Sequence, residues 1–398
     1  STNLGAAESF VVGFVSGNPP TTPADVIAMT GNSQASLNWL PSAGASGYNV
    51  KRSTVSGGPY SIVATNRAGA EYTDSGLVNG TTYYYVISAL NAAGESGNSS
   101  QVYAMPGTLS RTVWVASSST TGSDPPDNAL DGDLSTRWST GTSQVNGQWF
   151  QVDMGVTNVF NKLVLNSANS PNDYPRGYQV FVSNDGVNWT GPVASGTGSF
   201  GTTTISFAAQ AARYIRIIQT GSISGTFWSI HEFNVFGAAP FAPTGLAAAA
   251  VASGRVNLSW AGSAGAAGYN LKRSTTSGSG YLTIGTNLLS TVYADAGLSN
   301  GVTYFYVVSA TNSFGESANS AEASAHPVST VSIPVSFAVN GAQMQFSWPA
   351  DHLGWRLEMQ TNSLSSGGWI TVSNSTATNQ ISVLIQPGSS TFFRLVYP

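Results

Sequence analysis

The segment "LNWLPSAGASGYNVKRST", residues 37–54, returns as "LSWAGSAGAAGYNLKRST", residues 258–275. The offset of 221 (258 less 37) then holds without a gap from Trp39 and Trp260, through Tyr60 and Tyr281, Tyr72 and Tyr293, Leu77 and Leu298, Tyr83 and Tyr304, to the "GES" at 94–96 and 315–317. A repeat carried this far means one supersecondary unit built twice. In each copy, alternating apolar residues fall in short runs separated by Gly, Ser and Asn, as in a sandwich of about seven strands. A length of 398 residues suits roughly two to four domains with separate cores. The 44 glycines and 18 prolines suit short strands joined by turns. The expected fold is all-β, a chain of β-sandwiches.

Charge excludes several functions. Only 8% of residues are Asp, Glu, Lys or Arg, against about 25% in average soluble proteins, so ion pairs are not expected to hold much together. The net charge is −4 and the lysines are Lys51, Lys162 and Lys272 alone. This provides no basic stripe for a phosphate backbone, and a nucleic-acid partner is not expected. With no cysteine there is neither a disulfide framework nor a thiolate metal site. No apolar run approaches the roughly 18 residues of a membrane span, and the composition leans towards a secreted, extracellular or surface-attached protein. The opening "STNLGAAESF" lacks the regions of a signal peptide. The stretch "ESFVVGFV" reads as a terminal strand running into a Pro/Thr linker, as in a mature or trimmed chain.

Both copies resemble fibronectin type III domains. The carrying residues are Trp39 and Trp260 on the second strand and the runs "LVNGTTYYYVISA" and "LSNGVTYFYVVSA". The resemblance places Tyr83 and Tyr304 at a tyrosine corner, each hydroxyl tied to nearby backbone. Such modules imply spacers, and the tyrosine periodicity is that of core positions and not of a sugar-stacking platform. In the last residues, "MQFSWPADHLGWRLEMQ" and "IQPGSSTFFRLVYP" echo the repeat as a degenerate third copy, similar to small β-sandwich modules that close secreted bacterial proteins.

Between the copies the order "DNALDGDLSTRWST", "GQWFQVDMG", "YQVFVSNDGVNW", "AARYIRIIQTG" and "WSIHEFNVFG" resembles the discoidin, or coagulation factor type C, fold, and within it carbohydrate-binding module family 32. The implied architecture is an eight-stranded jelly roll. The expected domains are therefore 1–21 terminal strand and linker, 22–106 fibronectin type III, 107–238 discoidin-like, 239–327 fibronectin type III, and 328–398 a small C-terminal sandwich.

That family binds Ca2+ at the first motif, and the chemistry of the motif agrees, since calcium takes six to eight oxygens. Asp131 and Asp133, flanking Gly132, are expected to point carboxylates inward from one loop. Thr136 adds its hydroxyl or carbonyl and Glu232 comes from the final strand. The resemblance adds backbone carbonyls of Asn128 and His231. Two carboxylates about 5 Å apart repel by roughly 3 kcal/mol at an effective dielectric of 20, and a divalent cation reverses that sign. A bare "DGD" reads as a solvated Asx turn; the accompanying motifs favour the cation, in a structural role. An EF-hand is excluded because Thr136 stands where that loop needs Gly and Thr142 where it needs Glu.

Sugars in this family bind on loops at one end of the sandwich. Trp114, Trp138 and Trp149 occupy family core positions and Trp189 closes a turn. Trp228 follows the loop "QTGSISGTF" and either stacks on a sugar or packs in the core, with Phe227 beside it. A second loop, "NSANSPNDYPRGY", gathers Asn169, Asp173, Tyr174 and Arg176, the last either a sugar contact or a structural residue beside Pro175. The spacing differs from that of galactose binders and no histidine follows Trp138, which speaks against galactose. The partner expected is a polysaccharide or glycan.

Catalysis is not expected. His231, His326 and His352 have no triad or metal-ligand spacing, and the carboxylates available for glycoside hydrolysis all have structural explanations. The competing class is a structural or adhesive surface protein, or a fibre subunit, self-associating by β-strand addition through "ESFVVGFV".

Overall fold

The computed structural model describes residues 17–120, 122–361, 364, 367–385, 388 and 390–397. The terminal strand expected at 8–15 lies outside them. Contacts divide the chain into two units, Ser1–Ala238 and Ala239–Pro398. Among the described residues there is no α-helix, only two short 3-10 turns, and no helix long and apolar enough to cross a membrane.

The first repeat copy begins the first unit. Its strands are β1 (Ala24–Gly31), β2 (Gln34–Leu40), β3 (Gly47–Ser53), β4 (Ser61–Arg67), β5 (Glu71–Ser75), β6 (Tyr83–Asn91), β7 (Gly94–Glu95) and β8 (Val102–Ala104). They form one sheet in the order β1-β2-β5 and a facing sheet β4-β3-β6-β7, with β8 also on β6. Strict alternation drives the packing: on β2, Ala35, Leu37 and Trp39 are buried while their neighbours are half exposed. The corner expected of Tyr83 is present, its hydroxyl accepting the Val78 N–H at 3.2 Å.

The second unit repeats this plan. One sheet orders Thr244–Ala252, Arg255–Ala261 and Val292–Ala296; the other centres on Gly268–Ser274 and Tyr304–Asn312. Tyr304 accepts the Ser299 N–H at 3.0 Å. The tail beyond it keeps the same grammar. Ser336–Asn340, Gln343–Ser347 and Gln380–Leu384 pair in that order, and Ile370–Thr371, Arg356–Gln360 and Phe392–Val396 make the facing sheet. Trp348 is the counterpart of Trp39 and Trp260. All three are buried, and each donates its backbone N–H to the residue just before the third strand of its sheet: Ala70, Thr291 and Asn379. The tail thus has the topology of a shortened third copy.

The scarce charges do more than composition suggested. Arg52 meets Asp74 at 2.8 Å and the buried Tyr85 hydroxyl donates to the same carboxylate at 3.0 Å. The second copy reproduces the triad with Arg273, Asp295 and Tyr306, each contact at 2.9 Å. Burial, followed by the adjacent carboxylate, pushes both tyrosine hydroxyls well above their usual range. Few charges do not mean few ion pairs: in both copies an arginine is committed to a buried aspartate. Asp74→Ala should cost about 2 kcal/mol, because a charged hydrogen bond is lost and the Tyr85 hydroxyl is left unpaired; urea unfolding with an unchanged midpoint would refute it.

The central domain completes the first unit. Its strands are β9 (Val115–Ser118), β10 (Trp138–Ser139), β11 (Trp149–Asn166), β12 (Tyr178–Ser183), β13 (Thr190–Gly196), β14 (Thr202–Gln219), β15 (Ser229–Ile230) and β16 (Glu232–Gly237). The main sheet runs β13-β12-β14-β11-β16 with β9 also on β11, and β10 pairs with β15. The two 18-residue strands, β11 and β14, change register after Asp153 and again after Phe160. Phe150, Val152, Met154, Val180, Ile215, Ile217, Phe233 and Val235 belong to one buried cluster.

Candidate functional site: a cation loop and a loop rim

The loop after the 3-10 turn Pro126–Ala129 concentrates oxygen atoms. Thr136 Oγ1 lies 2.6 Å from Asp131 Oδ2, 3.0 Å from the Asp133 carbonyl and 3.5 Å from the Asn128 carbonyl. One hydroxyl proton can serve only one of these acceptors, so the loop holds a surplus of oxygen lone pairs. Gly132 makes the turn at φ +84°. The Asp133 carboxylate does not join the cluster as expected: its Oδ1 accepts the Ser135 N–H at 2.8 Å in an Asx-type turn. Satisfying that local donor turns it outward, and only its carbonyl faces Thr136.

Glu232, first residue of β16, is buried beside this loop. Its Oε2 is paired with the Arg111 guanidinium, and its Oε1 is buried without a hydrogen-bond partner. Burial pushes the Glu232 carboxyl above its usual range, Arg111 pulls it back, and Asp131 adds to the push. His231 contributes through its ring: Nδ1 bonds the Leu134 carbonyl at 2.9 Å and Nε2 faces Ser170 Oγ at 3.3 Å, joining the loop to the strand before β16. Among the described residues no three His, Cys, Asp or Glu side chains cluster as a metal site, so any cation would need carbonyl and hydroxyl oxygens too. An all-oxygen donor set with one orphaned, buried carboxylate oxygen fits a hard cation.

Three loops meet at the rim, and the buried Gln144 holds them. Its Nε2 donates to the Tyr174 carbonyl at 3.0 Å and to the Phe227 carbonyl, its Oε1 accepts the Arg176 N–H at 3.1 Å, and its amide pairs with the Gln219 amide. Asp173 adds a second clasp, accepting the Ser229 hydroxyl at 2.7 Å on its side chain and the Ser229 N–H at 2.9 Å on its carbonyl. It also meets Arg137 at 3.3 Å, and Arg137 reaches Asp124 at 3.1 Å. Asp124 is held below the usual carboxylate range by the Ser139 hydroxyl first and by Arg137.

The sugar candidates divide accordingly. Trp228 is fully buried, edge-on to Trp138 at 5.0 Å, and belongs to the core; its backbone N–H donates to the Thr140 hydroxyl at 3.1 Å. Of the two alternatives for Trp228, sugar stacking and core packing, the structure shows core packing, and its place among the sugar contacts is corrected. Asp173 is likewise a clasp, consumed by Ser229 and Arg137. Arg176 stacks on Tyr174 at 3.9 Å and donates to the Asn172 carbonyl at 2.8 Å. Phe227, Tyr174 and Arg176 remain half-buried and Asn169 exposed on the rim. Trp149, expected in the core, is half-buried on the outer sheet face, where Arg216 lies between it at 4.8 Å and Trp189 at 4.1 Å.

Sequence reasoning missed Arg111, Arg137 and Gln144. Each acts on residues far away in the chain, and the one local signal was a glutamine in the Gly/Asn loop "GTSQVNGQ", where buried backbone carbonyls need donors.

Residues 114–233 match the F5/8 type C domain family and residues 18–105 the fibronectin type III domain family. Amylopullulanase of Thermoanaerobacterium thermosulfurigenes is 34% identical over 134 residues, 32% of this chain and 7% of that protein. Galactose oxidase of Gibberella zeae is 32% identical over 144 residues, 33% of this chain and 21% of that one. A solved chitosan-binding module from a Paenibacillus sp. IK-5 chitosanase/glucanase is 32% identical, covering 32% of this chain and 96% of the module at a TM-score of 0.29. The chain spans less than a quarter of the curated relatives cited. It contains an F5/8 type C domain preceded by a fibronectin type III domain.

Proposed function

We propose that the F5/8 type C domain of this chain binds a polysaccharide or glycan without catalysis, outside the cell, with fibronectin type III modules setting its reach. The observation that carries the reading is the rim: Gln144 ties three loops into one edge that presents the Tyr174–Arg176 stack, Phe227 and Asn169. The names of relatives that share parts of this sequence, amylopullulanase and galactose oxidase, favour a saccharide.

In this reading one aromatic face, Tyr174 or Phe227, takes the apolar face of a sugar ring. Arg176, braced by the Asn172 carbonyl, and Asn169 donate to its hydroxyls. Removing about 100 Å² from water contributes about 2.5 kcal/mol, and two hydrogen bonds add about 1 kcal/mol each. The sum corresponds to a Kd of about a millimolar, useful through avidity with tethered neighbours. A bound Ca2+ would be held by Asp131, Thr136, Glu232 and the carbonyls of Asn128, Asp133 and His231. It would neutralise the exposed Asp131 and buried Glu232 carboxylates and fix the loop to β16.

Glycan-array binding of the full chain with and without Ca2+ tests the proposal. Wild type should retain at least one saccharide, and Tyr174→Ala or Phe227→Ala should weaken it about tenfold or more, the loss of a stacked face. An array on which wild type binds nothing, or both variants bind as wild type does, would sink the site.

A further inference from the structure

Arg111 sits in the connection between β8 and β9 and does two things at once. One Nη1 is paired with Glu232 and is 3.3 Å from the Phe233 carbonyl; Nη2 donates to the Tyr103 hydroxyl at 3.1 Å. Tyr103 belongs to β8 of the fibronectin domain, and its hydroxyl also rests against the cation loop: a Cβ on Gly132 would overlap it. A cavity of about 800 Å³ between the two domains is lined by Thr30, Tyr84, Tyr103, Arg111, Gly132 and Glu232. The guanidinium therefore has room to leave the carboxylate without repacking either core.

We infer that Arg111 is an intramolecular competitor for the cation at Glu232, so that cation loading and docking of the first fibronectin domain oppose each other. The inference rests on the calcium reading above. Glu232 Oε2 cannot serve the guanidinium and a hard cation at full strength together, and two cations side by side repel. Linkage makes the effect reciprocal: whatever factor the Arg111–Tyr103 contact removes from calcium affinity, calcium removes from the contact. The metal loop thus reports its occupancy to the relative placement of two domains.

The absence of cysteine makes the test direct. In the full chain, Thr54→Cys and Val187→Cys, both exposed, carry spin labels for interdomain distances, and CaCl2 affinity is measured by calorimetry. Arg111→Met should bind Ca2+ about ten- to a hundredfold more tightly than wild type. Calcium should broaden the wild-type distance distribution, which in Arg111→Met should already be broad without it. Equal or weaker affinity in Arg111→Met, or a wild-type distribution that calcium leaves unmoved, overturns the competition while leaving calcium binding standing. Failure of both proteins to bind Ca2+ overturns the calcium reading itself, whereas binding by Arg111→Met alone supports the competition. Should Arg111→Met not fold, Tyr103→Phe decides: tighter calcium binding supports the coupling and unchanged binding refutes it.

Discussion

Trp228→Ala should destabilise the central domain by about 3–5 kcal/mol, the range for removing a fully buried tryptophan and leaving a cavity. The ring has no exposure and lies in an edge-to-face pair with Trp138, itself fully buried and 4.9 Å from Phe150. Three aromatic rings are therefore packed in series, and the cavity would open beneath the strand pair β10 and β15 that supports the rim. Trp228→Phe separates packing from polarity. Because the indole N–H is buried without a partner, phenylalanine loses volume but also removes an unmet donor, so its cost should be about 1–2 kcal/mol. Denaturant unfolding monitored on the central domain measures both. An alanine variant of wild-type stability that no longer binds glycan would return Trp228 to the rim and refute its core placement.

Calcium at a hundred times its Kd should stabilise the same domain by about 2.7 kcal/mol, which for a domain of this size raises the unfolding midpoint on the order of 10 °C. The gain has two physical sources. The surplus of oxygens around Thr136 Oγ1 acquires a common partner, and Glu232 Oε1, buried without a hydrogen-bond partner, acquires a ligand contact. Asp131→Ala should abolish the shift while leaving the calcium-free midpoint nearly unchanged, because Asp131 bonds only neighbours in its own loop, Thr136 and the Asp133 N–H at 2.8 Å. Calorimetric scans in chelator and in excess calcium that superimpose would remove the cation from this account.

Much of the architecture was legible because it is written in local periodicity. Alternation on β2 and on Arg255–Ala261 put Trp39 and Trp260 inside, and the constant offset carried each core contact, corner tyrosine and triad residue to its counterpart. The central domain was legible differently, through a resemblance carried by the order of five motifs, which periodicity alone does not supply. The site was less legible. Asp131, Thr136 and Asn128 lie within nine positions and were found together; the outward turn of Asp133 depended on whether Ser135 N–H would capture its side chain. Trp228 follows a Gly/Ser loop that could expose it or hand it to the core, and packing against Trp138, 90 residues earlier, is what the fold supplies.

What the sequence determined by itself, then, was which residues alternate, where chains of strands begin again, and which loop collects oxygen. Only the tertiary structure decided what those groups face: Arg111 against Glu232 across 121 residues, Gln144 against Tyr174 and Phe227, Trp228 against Trp138. Periodicity is enforced by backbone geometry within a few residues, whereas partnership between distant polar groups is set by burial, where an unmet donor or charge must find whichever complement the fold brings near.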